Sequence, residues 1–278
     1  MHSSRLTRFC AALLFLALGG TAFAAEPAKP PPGAATPPAA AKPPRDEAAD
    51  AATYARCLRL AASNPAAARV LAGAWAARGG AHPAEHCAAV ALFHLGQYKE
   101  AATRLDALAH QMNKGPADLL AGVLDQAGEA WLMAGDPVRA YADCGAALIL
   151  APDDPDILTD RAQAAAAAGH YRKAVGDLDR VLGKRPEAVD ALVYRAAAYR
   201  ALGRLDPALA DADKAVSLKP RSLSALLERG NIRRLKGEKA GARADWLEIR
   251  QLAPKSPEAV AAAANLRRLE AQGSAPPR

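Results

Sequence analysis

The chain has 278 residues, 51% of them hydrophobic, which is enough apolar material for one extended domain or two small ones and excludes a wholly disordered chain. Alanine is abundant, aromatic residues make up only 5%, and β-branched residues form no alternating run, so we expect packed helices and almost no strand. The formal net charge is +7, but basic and acidic residues are interspersed, which argues against nucleic-acid binding.

Residues 1–24 have the pattern of a secretory signal peptide. Arg5 and Arg8 form a basic start, residues 11–18 form an apolar stretch too short to span a bilayer, and residues 22–24 read Ala-Phe-Ala, a typical cleavage sequence. We therefore expect cleavage directly after this sequence. The mature chain is then periplasmic or secreted and has no transmembrane segment.

The composition of residues 25–46, rich in proline and alanine, predicts a linker. Prolines at this density exclude a helix and favour polyproline II or irregular chain. A plain spacer and a ligand for a proline-recognising domain both remain open. Residues 47–81 follow as a degenerate helical hairpin, with helices over 47–63 and 65–77. The eight prolines of the linker are Pro27, Pro30, Pro31, Pro32, Pro37, Pro38, Pro43 and Pro44.

From residue 82 onward the chain has a period of 34 residues. The recurring glycines are Gly135, Gly169, Gly203 and Gly237, and the recurring prolines are Pro152, Pro186, Pro220 and Pro254. Alanines follow each glycine after five residues, at Ala140, Ala174, Ala208 and Ala242. Gly96 precedes the series by 39 residues, because about five residues are inserted near 115–119.

Each unit holds two apolar-periodic stretches, which meet at the glycine and end at the proline. The pattern therefore predicts a helical hairpin that repeats five times. A small residue in the middle of each first helix and the recurring alanine of each second helix let the two helices approach closely. These first-helix residues are Ala89, Gly128, Ala162, Ala196 and Gly230.

This combination of small residues, glycine and proline resembles the tetratricopeptide-repeat (TPR) family. The resemblance implies an all-α solenoid of tandem helix-turn-helix repeats with a helical cap at each end. The five assigned repeats are 82–115, 121–154, 155–188, 189–222 and 223–256. Residues 257–271 are expected to form a C-terminal capping helix, and residues 272–278 a disordered tail. Arg233 stands where Trp131 and Tyr199 occur in other repeats, so we expect looser packing in the last one.

Two sets of charged residues repeat with the hairpins. The aspartates are Asp143, Asp177, Asp211 and Asp245, and the arginines are Arg161, Arg195 and Arg229. An active site would need to occur once, whereas these residues recur in several hairpins. We therefore interpret them as pairs that fix the angle within or between hairpins.

Cys57 and Cys87 lie 30 residues apart, close to one repeat length. In an exported chain this spacing predicts a disulfide that joins the N-terminal hairpin to the first repeat. The sequence has no C-x-x-C motif, which argues against a redox-active pair. Cys144 takes the second-helix position of Leu105 and Leu178, and we expect it to be a small buried thiol.

His82, His86 and His94, with Cys87 beside them, are the only cluster that could ligate a transition metal. A metal- or small-molecule-handling envelope protein is therefore the alternative function. The sequence has no nucleophile elbow, phosphate-binding loop, dinucleotide fingerprint or zinc-protease motif, so no catalytic residue and no cofactor are predicted.

The resemblance also implies where a partner binds, because first helices of TPR proteins line a groove that takes a peptide or a partner helix. The corresponding residues here are Asp125, Glu129, Met133, Asp160, Gln163, Tyr194, Arg200, Asn231 and Arg234. Asp125, Glu129 and Asp160 stand where the family's carboxylate clamp has lysine or asparagine. We therefore expect a basic or amphipathic protein segment as the partner, bound by an exported scaffold in envelope assembly or secretion.

Overall fold

The fold is described by a computed structural model, which covers residues 47–112 and 115–273. The predicted signal peptide, the linker and residues 274–278 lie outside the described residues. Within those residues the chain forms helices and no strand, which confirms the predicted all-α class. The helices are α1 (Glu47–Ser63), α2 (Pro65–Ala77), α3 (Ala81–His94), α4 (Tyr98–Gln111), α5 (Ala117–Met133), α6 (Pro137–Leu150), α7 (Pro155–Ala167), α8 (Tyr171–Lys184), α9 (Val189–Ala201), α10 (Leu205–Leu218), α11 (Leu223–Leu235), α12 (Lys239–Leu252) and α13 (Pro257–Gly273).

The chain divides into two compact units between Leu119 and Leu120. Unit 1 contains α1 to α4, and in it each helix packs against the next and α1 also packs against α3. Unit 2 contains most of α5 and all of α6 to α13, with consecutive helices packed as hairpins from α6 onward. Each unit is thus built as a tandem helical solenoid. No helix in the described ranges is both long and apolar enough to cross a membrane.

The turn inside each of the five repeat hairpins is built around a glycine with positive φ. At Gly135, φ is +82°, a left-handed conformation that a side chain would strain. The following N–H, of Asp136, donates to the carbonyl of Trp131 at 2.9 Å and closes the end of α5. The Asp136 side chain then accepts from the N–H of Arg139 and caps α6, while Pro137 takes the first helical position.

Two helix ends differ from the predicted boundaries. Helix α5 begins at Ala117, before the predicted repeat start at residue 121, so part of the inserted sequence extends this helix by one turn. Helix α13 ends at Gly273, which makes residues 272 and 273 helical although they were expected in the disordered tail. Alanine, leucine and charged residues continue the helical pattern up to that glycine.

The last hairpin is well packed, and the expectation of looser packing there is wrong. Ile232, Trp246 and Ile249 are fully buried. Arg233, which replaces the aromatic residue of other repeats, donates from Nη1 to the buried carboxylate of Asp245 at 3.0 Å. The stem of its side chain lies against Gly241, so aliphatic contact and an ion pair replace the missing ring.

The tight approach of α11 and α12 depends on Gly230. A Cβ atom at this position would lie 2.5 Å from Nε1 of the buried Trp246 indole. In the preceding hairpin, α9 and α10 have Ala196 and Ala212 at the equivalent positions. Two alanines in that hairpin thus correspond to one glycine and one tryptophan in the last hairpin. The volume at the helix contact is therefore set by the two residues together.

Three contacts fasten α1 to the rest of unit 1. The Sγ atoms of Cys57 and Cys87 lie 1.94 Å apart, at disulfide distance, and both residues are fully buried. The hydroxyl of Tyr54 and Nδ1 of His86 are hydrogen-bonded at 2.8 Å. The Trp75 indole donates to Asp50 at 2.9 Å and ties α2 to the start of α1.

Helix α13 covers the last hairpin in the position of another first helix. Ala262 and Leu266 are buried in the core of unit 2, and the Asn265 amide donates to the side-chain oxygen of Asn231 at 2.8 Å. Val260 stands 34 residues after the fully buried Leu226 yet is 68% exposed, because no second helix packs on it in the described part of the chain.

We predict that Gly230→Ala destabilises the protein by about 1–3 kcal/mol, because the new methyl group overpacks the contact with Trp246. Gly176→Ala is the matched control, since Gly176 lies inside α8 with nothing within 4 Å of its Cβ position. That change should stabilise by about 0.5–1 kcal/mol through helix propensity. Urea unfolding followed by circular dichroism measures both, and effects of the same sign would contradict the packing account.

We also predict that Cys57 and Cys87 resist alkylation until the protein is reduced. Reduction, or the double change to serine, should lower the stability of unit 1 by roughly 3–4 kcal/mol, the loop-closure value for a loop of about 30 residues. Thermal unfolding followed by circular dichroism measures the loss. Rapid alkylation of both cysteines without reductant would disprove the bond.

Candidate partner-binding site

The predicted groove residues of unit 2 lie on α5, α7, α9 and α11, the first helices of successive hairpins. Successive first helices pack against one another, α7 against α9 and α9 against α11, and the capping helix α13 packs against α11. We call this the groove face. Its polar residues differ in charge from one end to the other, and the two ends are built differently.

The acidic end of the groove face consists of Asp125, Glu129 and Asp160. Asp125 is buried, and its carboxylate lies 3.8 Å from Sγ of Cys144, while the other two are half-buried. The Gln163 amide donates to Asp160 at 3.1 Å, which joins two predicted groove residues within α7.

The acidic end also governs the chemistry of Cys144. Burial first, and then the negative charges of Asp125, Asp160 and Asp143, raise the pKa of this thiol well above its usual value. The thiol therefore stays protonated and unreactive at neutral pH. The same shift indicates that Asp125 on α5 and Asp160 on α7 act on one place, so the negative potential of this region is shared between two hairpins.

The other end of the groove face is used for contacts between helices. Arg200 donates to both carboxylate oxygens of the buried Glu228, at 2.5 and 3.3 Å, and so ties α9 to α11. Asn231 is bonded to α13. Arg234 is half-buried and has no ion pair within residues 47–112 and 115–273. Two of the residues predicted to meet a partner thus hold neighbouring helices together instead.

The two remaining predicted groove residues are apolar or aromatic. Tyr194 is half-buried and packs against the core of unit 2. Met133 is 52% exposed and lies one helical turn after Glu129. An exposed thioether beside carboxylates offers an adaptable apolar contact at the acidic end.

The histidines do not come together as a metal site. His86 is almost fully buried and hydrogen-bonded to Tyr54, and Cys87 lies at disulfide distance from Cys57. His94 has its pKa lowered by burial. In the part of the chain that the structure describes, no three His, Cys, Asp or Glu side chains are grouped so that they could hold a metal ion. The geometry therefore gives no support to the metal-handling alternative.

Three arginines on first helices each bind an aspartate on the second helix of the same hairpin. In the middle pair, Nε and Nη2 of Arg195 lie 2.7 and 2.8 Å from the two carboxylate oxygens of the buried Asp211. These hydrogen bonds raise the pKa of Arg195 further above its already high usual value. We call the three pairs the arginine ladder: Arg161–Asp177, Arg195–Asp211 and Arg229–Asp245.

The ladder also reaches the preceding hairpin, through two further aspartates that the sequence analysis did not single out. Nη1 of Arg195 donates to Asp179 at 2.7 Å, and Nη1 of Arg229 lies 3.5 Å from Asp213. Both aspartates stand on the second helix of the preceding hairpin, 16 residues before their arginine. Their 34-residue spacing is visible in the sequence and could have identified this second partner.

We predict that Asp211→Ala costs about 2–4 kcal/mol of stability, because it leaves the largely buried guanidinium of Arg195 without its two-bond partner. Asp179→Ala removes the exposed partner of the same arginine and should cost about 1 kcal/mol or less. Urea unfolding of the two variants measures the difference. Equal losses would contradict the ladder as described.

Comparisons with known proteins find the same type of repeat. Residues 129–199 match the family model for the tetratricopeptide repeat. No curated protein matches the chain in sequence.

Several solved structures share the fold. One is the Cut9–Hcn1 hetero-tetramer of the APC/C, with 14% identity, a TM-score of 0.62, and coverage of 79% of this chain and 42% of that one. A tetratricopeptide-repeat protein from Parabacteroides merdae has 22% identity, a TM-score of 0.57, and coverage of 69% and 75%. TTC0263 of Thermus thermophilus has 20% identity, a TM-score of 0.55, and coverage of 67% and 99%. Residues 129–199 thus match the tetratricopeptide-repeat family, and the described helices share the fold of these solved structures.

Proposed function

We propose that the protein is an exported scaffold that binds a segment of a partner protein at the acidic end of the groove face. The observation that carries this proposal is the placement of Asp125, Glu129 and Asp160 on α5 and α7, the first helices of successive hairpins, with Asp125 3.8 Å from the Cys144 thiol whose pKa Asp160 also raises. Cut9, which shares the fold, is found in a complex with Hcn1, and this supports binding of a protein as the role of the fold.

The charge and the apolar neighbour indicate the kind of segment. Three carboxylates within one region attract lysine and arginine side chains, and their field is strengthened because they are partly withdrawn from water. Met133 offers an exposed apolar surface one turn from Glu129. A basic, amphipathic segment satisfies both, with its charges on Glu129 and Asp160 and an apolar side chain on the methionine.

A partner held by its C-terminal carboxylate fits less well. The acidic end would repel such a group, and Arg200 at the other end is already neutralised by the two-bond contact with Glu228. Only Arg234 would remain as a cation without an ion pair among the predicted groove residues that the structure describes.

Binding rather than catalysis is also favoured by the state of Cys144. It is the free cysteine of the described residues and is buried, and its thiol pKa is raised. A nucleophilic cysteine needs an exposed position and a lowered pKa.

Export is proposed from the sequence pattern of residues 1–24. A disulfide between Cys57 and Cys87 would be retained in an oxidising compartment such as the periplasm, which agrees with that pattern. The proline-rich residues 25–46 then act as a spacer ahead of unit 1.

We predict that the double variant Glu129→Lys/Asp160→Lys binds the partner at least about tenfold more weakly, because attraction of its basic side chains becomes repulsion. Asp125 is left unchanged because it is buried and its replacement would report on folding. The measurement is quantitative co-purification from an envelope extract of the source cells, repeated at low and high salt.

The matched control is Glu187→Lys/Glu248→Lys, which makes the same change of charge at two exposed acids away from the groove face. This control should bind like the unaltered protein. If the groove variant captures the partner as well as the unaltered protein does, and its circular dichroism is unchanged, the partner does not bind at the acidic end.

A further inference from the structure

The first rung of the arginine ladder lacks the second carboxylate that the later rungs have. Arg161 donates from Nε and Nη2 to Asp177, at 2.8 and 2.6 Å, as its equivalents do in their own hairpins. In the next two rungs, Nη1 is directed at an aspartate 16 residues earlier in the chain. For Arg161 that position is Gly145.

No other acceptor replaces the missing carboxylate. Within the described residues, the hydrogen bonds of the Arg161 guanidinium all go to Asp177. Asp143, which stands two residues before Gly145, is not among its acceptors. One donor edge of a largely buried guanidinium is therefore left to solvent or to a ligand.

The space that the carboxylate would occupy is open. A Cβ at Gly145 on α6, or at Gly176 on α8, would meet no atom within 4 Å. In the next hairpin the equivalent surface forms a cavity of about 390 Å³, whose lining includes Asp179, Arg195 and Asp211.

Two cations, Arg161 and Lys173, contact one aromatic ring at this place. The ring of Tyr141 lies between two cations, with the Arg161 guanidinium carbon 5.6 Å and Lys173 Nζ 5.0 Å from its centroid. Lys173 has no ion pair in the described part of the chain. Arg161 and Lys173 together have one carboxylate partner among the described residues, Asp177. Arg195 in the next hairpin has two carboxylate partners of its own.

An apolar side chain borders the same place. Ile149 lies one helical turn after Gly145 and is 80% exposed. The equivalent residues in the next two hairpins are Gly183 and Ser217, so the fold does not require an apolar residue here. Ile149 therefore offers an apolar contact within one helical turn of the place where the carboxylate is missing.

We propose that Arg161, Lys173, Tyr141, Gly145 and Ile149 form a second binding site for a protein segment that presents an aspartate or glutamate next to an apolar side chain. The carboxylate bonds Nη1 of Arg161, as Asp179 bonds Arg195, and the apolar side chain covers Ile149. We call it the open-rung site. Its charge preference is opposite to that of the acidic end, so it selects a different segment.

The chain offers a matched pair of variants to test the site. Gly145→Asp supplies the missing carboxylate from within the chain, and Gly145→Ala adds a Cβ and removes the glycine without supplying charge. Circular dichroism verifies that both are folded. The first variant should fill the site, and the second should leave it open.

The first probe is acetate, followed by the side-chain Nε–H signals of ¹⁵N-labelled arginines, with Arg161 assigned through Arg161→Lys. Acetate should shift the Arg161 signal saturably in the unaltered protein and in Gly145→Ala. It should shift neither Arg161 in Gly145→Asp nor Arg195 in any of the three. Equal shifts of Arg161 and Arg195, or no shift of either, would overturn the proposal.

The second probe is a displayed library of random twelve-residue peptides, selected on the full chain. Basic peptides are expected from the acidic end, and a second class should carry aspartate or glutamate beside an apolar residue. Peptides of this acidic class should bind Gly145→Asp roughly tenfold or more weakly than Gly145→Ala, and lose a similar factor when the acid is replaced by its amide. A selection that yields no acidic class, or acidic peptides that bind the two variants equally, would contradict a protein segment as the occupant.

Discussion

The contact between a small residue on the first helix of each hairpin and the second helix controls how the hairpins of unit 2 are built. Where that residue is Gly230, the indole of Trp246 fills the space, and a single added methyl group would collide with it. The close approach places each ladder arginine within reach of its aspartate, so the polar contacts depend on the apolar one. Because the same geometry repeats every 34 residues, side chains at one repeat position line up along the unit.

Local signals accounted for most of the helical architecture. Glycines with positive φ, capping aspartates and prolines at helix starts act within a few residues, so Gly135 and Asp136 mark a turn in the sequence itself. The charged pairs and the pair Cys57–Cys87 could be anticipated because repetition turns a spacing in sequence into a distance in space. These predictions need only local sequence and the repeat length, and not the packing of distant helices.

The roles of several side chains could not be predicted, because their contact partners do not follow from the repeat pattern. Arg200 was predicted to meet a partner, yet it reaches the neighbouring helix and makes the burial of Glu228 possible. Arg233 stands where other repeats have an aromatic residue. It is held in place by an ion pair with Asp245, which also binds Arg229. His86 looked like a metal ligand, but its partner Tyr54 lies in the N-terminal hairpin, which has no repeat pattern. In each case the side chain's role is fixed by a contact across helices.

Unit 2 is proposed to carry two opposite charge preferences, an acidic end on α5 and α7 and an open-rung site where the ladder begins. We infer that a basic segment of a partner lies on the acidic end, against Met133. A photo-crosslinking amino acid placed at Met133 in source cells tests this directly when the captured peptide is mapped by mass spectrometry, and Leu218, an exposed residue at the end of α10, is the control position. We expect one lysine- or arginine-rich segment to be captured from position 133 and not from 218, whereas an acidic segment or equal capture from both positions would contradict the proposed site.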